Sequence, residues 1–244
     1  MDGYFENGYY IDRYYALEED LLRFFNYITL EFYPKPQNRK HIRSIYLSDL
    51  LLRIGSNIST FFDRFIDNYL YSGGLLQHTL YLSYSSLQLI FKELKEKKKK
   101  SGLYWGDYKK LEPILGLSNR YVILTPLNEK LYPFRDTKNG KRSWADIKSS
   151  EGDFWWNSYN AVKHNAMLKE ANLNSVLNAL AALLLLITRP EIQFSSKFER
   201  YNYLKKEAMF ELGVDAFGKD EIIKSGDICK ISTRLFKLSS NIDQ

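Results

Sequence analysis

The chain has 244 residues, 45% of them hydrophobic and 16% aromatic, with 35 Lys and Arg against 29 Asp and Glu for a formal charge of +6. That is apolar material enough for a sizeable core over roughly one to two domain lengths, while the lone Cys229 excludes an intrachain disulfide, a cysteine-rich zinc site and a redox pair. The opening MDGYFENGYYID lacks the basic-then-apolar pattern of a signal peptide, and the longest apolar run, 179–187, is well short of the ~20 residues a membrane-spanning helix needs; the expectation is a cytoplasmic protein without a membrane partner.

Residues 1–10 are rich in Gly and Tyr and are expected to be irregular. From Ile11 to about Phe32, Tyr15, Leu22, Phe25 and Ile28 recur at helical steps and predict an amphipathic helix with Glu18, Glu19, Asp20 and Arg23 on its wet side. Pro34 and Pro36 stop it, and PKPQNRKHIR reads as a polar loop. A second helix is predicted from about Ser44 to Tyr69, with a broad stripe running Leu47, Leu50, Leu51, Ile54, Ile58, Phe61, Phe62, Phe65 and Ile66. Gly55 within that stripe is tolerable where another helix comes close, and Gly73-Gly74 is expected to end the helix.

A third helix, from about Leu75 to Lys97, carries Leu76, Leu80, Tyr84, Leu87, Phe91 and Leu94 on one face and fades into a cationic end. The stretch 101–152 has three prolines and short apolar bursts, predicting an insertion that packs down or carries a function, with a short helix near Asp107–Leu115 and a short strand or extended segment in YVILT at 121–125. Two helices follow within 153–187, the first dense in aromatics and the second apolar nearly all round, closed by Arg189-Pro190. In the tail, Phe198–Leu212 reads as a helix and Asp227–Leu238 as a strand. The predicted fold is mainly α: a helical bundle domain over 1–190 interrupted at 101–152, with a short β-containing C-terminal extension over 191–244 packed on it.

Chemistry concentrates in WWNSYNAVKHN. Residues three and four apart share a helix face, so Trp156, Asn160 and His164 are expected to line up towards solvent, flanked by Lys163 and Tyr159, with Trp155 and Val162 towards the core and Tyr159 placed between the row and that core side. The catalytic candidates are His164, Asn160, Lys163 and Tyr159. A histidine exchanges protons near neutral pH, and RNA supplies its own 2′-hydroxyl nucleophile. His164 can therefore serve as base and Lys163 as the cation for a phosphorane, with Asn160 orienting phosphate or ribose. On a helix Lys163 projects about 100° from His164.

The alternative is that Asn160 and His164 bond backbone of the 101–152 stretch or a partner. Candidate RNA-binding residues are Lys97, Lys98, Lys99 and Lys100, with a sparser group around Lys138, Lys141, Arg142 and Lys148. They would hold phosphates without reading sequence; otherwise they form a solvated helix end and a solvated loop. His41 and His78 stand apart from any ligand pairing, so neither metal nor cofactor is expected. No Gly-rich phosphate loop and no GxSxG elbow occurs.

WWNSYNAVKHN followed by NLNSVLNALAALLLL, with YKKLEPILGL, YPF and the paired helices of 11–70, resembles a group of uncharacterised prokaryotic proteins sharing a W-x-x-YN-x-x-KH-[ND] pattern. That group is distantly similar to the HEPN superfamily of α-helical domains. The resemblance implies a homodimer and a metal-independent endoribonuclease, or an RNA-binding relative, acting in defence or stress. Its motif is an arginine, a polar residue, a short spacer and a histidine; Asn160 and His164 match the last two, and Tyr159 stands where the arginine would be. The competing expectation is a non-catalytic helical interaction module, homodimeric, whose Trp156–Asn160–His164 face docks the insertion or a partner protein. The enzyme reading expects His164 to line an open, positively charged cleft that faces its symmetry mate. The module reading expects it buried with both ring nitrogens bonded.

Overall fold

A computed structural model describes residues 7–27, 36–76, 84–124, 129–135, 143–147, 154–165, 171–188 and 236–238. Among them the chain is mainly helical: α1 (Asn7–Tyr27), α2 (Pro36–Arg39), α3 (Ile45–Leu76), α4 (Tyr84–Ser101), α5 (Trp105–Tyr108), α6 (Glu112–Leu115), α7 (Trp155–Asn165) and α8 (Leu173–Ile187). Three short strands, β1 (Val122–Leu124), β2 (Glu129–Leu131) and β3 (Phe236–Leu238), form an antiparallel sheet in the order β2-β1-β3. Val122 pairs with Leu131 on one side and Leu238 on the other.

The stripe of α3 is buried throughout, from Leu47 to Ile66. It packs on α8, every residue of which except Asn174 is buried, and on α1 and α7. Two side-chain caps start these central helices at one end of the bundle. Ser44 Oγ accepts the Leu47 amide at 3.1 Å, and Asn172 Oδ1 accepts the Ser175 amide at 3.0 Å. There Leu173 N also donates to Ile42 O at 3.0 Å, which brings the two starts together. Each bonded cap satisfies an amide that the first helical turn leaves without a partner.

Several expectations need correction. Helix α1 begins at Asn7, inside the stretch predicted to be irregular, and its core face is Tyr10, Ile11, Tyr14, Leu17 and Leu21. Tyr15 and Leu22 only pack at its margin. Glu18, expected to be wet, is buried and accepts the Tyr14 hydroxyl at 3.2 Å. Two adjacent apolar stripes run along this helix, and packing against α3 and α8 selects the one that the spacing alone did not favour. Tyr10 is held there with its pKa raised to about 12 by burial, a shift that Arg64 opposes.

The predicted polar loop contains α2, and its Arg39 is 1% exposed. Helix α3 continues through Gly73-Gly74 to Leu76, because glycine weakens a helix without breaking it when the flanking turns are already hydrogen-bonded. The described part of the 101–152 stretch packs into the core. Trp105, Tyr108, Leu111, Phe134 and Trp144 belong to the main core, β1 coincides with the predicted strand, and β2 was not anticipated. Gly116, at φ +54, ends α6, and the Glu112 carboxylate gathers the turn behind it. It accepts Leu117 N at 3.1 Å and Ser118 N at 2.9 Å, and also takes the Trp144 indole N–H. His78, the Phe198–Leu212 helix and all of the Asp227–Leu238 strand except Phe236–Leu238 lie outside the described residues. No described helix is long and apolar enough to cross a membrane.

Candidate functional site

Helix α7 is seated by its aromatics. The Trp155 indole donates to Pro133 O at 2.7 Å, and the Trp156 ring stacks on Trp105 with centroids 4.0 Å apart. One turn on, Tyr159 lies buried on Gly55 of α3, so close that a Cβ added at Gly55 would fall 2.3 Å from the ring. Trp105 also meets Phe62, which lies further along α3 than Gly55. The two helices are therefore antiparallel. Ser158 and Ser175 share a 2.9 Å hydrogen bond that ties α7 to α8.

This seating corrects the expected outward row. Trp156 is 4% exposed and its indole nitrogen is buried with no hydrogen-bond partner. Asn160 is half-buried, and Lys163 and His164 are exposed. Successive members of the row rotate by about 40° on an α-helix, and the aromatic packing is confined to the start of α7, so the row begins in the core and ends in solvent. Tyr159 takes the inward one of its two expected orientations, buried with Trp155 and Val162. Lys163 turns its ammonium back over the Tyr159 ring, 5.5 Å from the centroid, a favourable placement of a cation on the negative face of an aromatic ring. His164 makes no hydrogen bond or ion pair among the described residues. The structure thus brings Lys163 and His164 to the exposed end of α7, with the half-buried Asn160 one turn before them and positive charge held over Tyr159.

The lysine run divides. Lys95 donates to Asp67 O at 2.9 Å, and Lys98 reaches Asp67 Oδ2 at 2.7 Å and Asp63 O at 3.3 Å, clasping α4 to α3. Burial in this clasp lowers the Lys95 pKa from its ordinary value. Lys97 is held by Asp107 at 2.6 Å. Lys99 and Lys100 are exposed and unpaired among the described residues. Lys138, Lys141, Arg142 and Lys148 lie outside the described residues. His41 is exposed, and no group of three or more His, Cys, Asp or Glu among the described residues is placed to hold a metal ion.

Two further residues stand out in the structure. Tyr104, 67% exposed beside the lysine run, follows a Ser-Gly-Leu break, the signal that could have marked it as a displayed aromatic. Arg39 gives both oxygens of Glu129 a contact to Nη2, at 2.5 and 2.6 Å, while its Nε and Nη1 have no partner. No local pattern distinguishes Arg39 from its neighbours Arg43 and Lys40. Fold and site define a mainly α protein that displays a histidine and a lysine at the end of an aromatic-anchored helix. Compared with protein-family models, curated proteins and solved structures, the chain matches none of them.

Proposed function

We propose that this protein is a metal-independent endoribonuclease of HEPN type, working as a homodimer in defence or stress, with His164 as the general base. The observation that carries the reading is His164 itself: exposed, without a described protein partner, and two turns beyond a rigidly packed Trp156. A base must be free to meet the 2′-hydroxyl, and a rigid mount keeps it in register with the phosphate. Asn160 orients the phosphate or ribose. Lys163, turned back over Tyr159, supplies the charge at the position where the resembled motif carries arginine. The buried, doubly bonded histidine expected of a docking module finds no support in this placement.

The test is degradation of a mixed-sequence single-stranded RNA by the purified full chain in EDTA. His164→Ala should lower the rate by at least about 100-fold, the low end for removing a general base, with thermal unfolding unchanged. Equal cleavage by the variant and wild type, or no cleavage by either, refutes the proposal. The second reading, the interaction module, draws on one observation, the inward Tyr159 that leaves no arginine on α7; it is the reading left standing by an inactive wild type.

A further inference from the structure

The chain's positive charge is not spread evenly. Between Lys92 and Lys110 there are eight lysines against three carboxylates, a surplus of five in a protein whose formal total is +6. The fold brings the two ends of this segment together, while Lys109 turns aside to Ile147 O and Lys95 and Lys98 to α3. Lys110 pairs with Glu93 at 3.0 Å, folding the segment after α5 back alongside α4. Gly102, at φ +75, turns the chain at the end of α4 and delivers Tyr104. Asp107 then fixes both sides of the turn, accepting Tyr104 N at 2.9 Å through one oxygen and Lys97 Nζ at 2.6 Å through the other. Lys97 sits 5.9 Å from the Tyr104 ring centroid, and the Tyr104 residue is 67% exposed. Lys99 and Lys100 remain free of described partners five and four residues before Tyr104, a reach of no more than about 18 Å of chain.

From this we infer that the α4–α5 corner is a docking surface for a single-stranded nucleic acid, with Tyr104 stacking on a base while Lys99 and Lys100 contact the flanking phosphates. Cationic side chains around a fixed, displayed aromatic are what a sequence-tolerant single-strand site requires, since every base has a π-face and every linkage a charge. A duplex would hide the base faces that Tyr104 needs. An anionic bilayer fits poorly, because the apolar stripe of α4, through Phe91 and Leu94, is already in the core and cannot insert. Holding Tyr104 in place before binding reduces the ordering cost of the complex. The surface stands independently of cleavage at His164.

Fluorescence anisotropy with 5′-labelled twelve-nucleotide poly(U) and poly(dT), on the full chain carrying His164→Ala to prevent cutting, tests it. Binding should weaken with salt, and Lys99→Glu/Lys100→Glu should lower affinity at least about 10-fold and flatten that salt dependence. Tyr104→Ala should cost roughly 5-fold or more while leaving the salt slope intact, and Tyr104→Trp should retain affinity. All of these positions are exposed, and circular dichroism confirms the fold of each variant. The inference is overturned if neither oligonucleotide binds, if Tyr104→Ala binds as tightly as the parent, or if vesicles rich in phosphatidylserine bind and oligonucleotides do not. Loss of binding at Tyr104 with normal RNA cleavage supports this surface alone, whereas unchanged cleavage by His164→Ala removes only the nuclease reading.

Discussion

Gly55→Ala is expected to destabilise the protein by about 3 kcal/mol, the upper end of the overpacking range. The sign makes the measurement decisive. In an exposed helix the same change stabilises by roughly 1 kcal/mol, because alanine is the better helix former and stiffens the unfolded chain. Here the new methyl would stand 2.3 Å from Tyr159 Cδ2 and 2.5 Å from Cε2. The Tyr159 ring has nowhere to retreat, with Trp156 against it at 4.8 Å and Trp156 itself stacked on Trp105. Relief must come from α7 moving off α3, which also displaces Asn160, Lys163 and His164. Thermal or urea unfolding of Gly55→Ala should show the loss, and adding Tyr159→Leu should recover part of it in a double-mutant cycle. A midpoint at or above that of the wild type would show that the two helices are not packed through this glycine.

The second large effect is expected at Glu129. Arg39 is 1% exposed and its one described carboxylate partner is Glu129, which keeps 24% of its side chain in contact with solvent. Taking a guanidinium out of water is costly, and losing its counter-charge strands it. Glu129→Ala should therefore cost about 3 kcal/mol, the lower end for breaking a buried pair, since solvent reaching Glu129 screens the attraction. The paired change Arg39→Met with Glu129→Ala should restore most of the stability, because an apolar side chain of similar length does not need the carboxylate. Urea unfolding of the two single variants and the double variant separates these cases. If the double variant is as unstable as Glu129→Ala alone, Arg39 contributes through packing of its aliphatic stem and not as a stranded charge.

The helical skeleton was legible where one periodic stripe dominates. The α3 residues from Leu47 to Ile66 and the apolar run of α8 are buried as their spacing required, since a face that wide has no alternative but the core. The strand at 122–124 was legible too, bracketed by turn-forming residues. Where two stripes compete, as on α1, spacing alone picked the wrong one, and Glu18 went into the core with it. Trp156 is buried for a related reason. Its place on the same face as Asn160 and His164 is real, but burial along that face depends on Trp105, fifty-one residues earlier in the chain.

By itself, then, the sequence determined that this is a mainly α protein, which segments form its core helices, and that Asn160, Lys163 and His164 share one helix. These are local properties, set by hydrophobic period and by side chains within two turns of one another. The tertiary structure alone decided that the row sinks from solvent into the core at Trp156 and that Lys163 folds back onto Tyr159. It likewise decided that Lys95, Lys97 and Lys98 are committed to aspartates or backbone carbonyls, while Lys99, Lys100 and Tyr104 are left to face outward. Each of those outcomes depends on partners distant in sequence or on which face of an element is covered, and that is chosen only when the elements pack together.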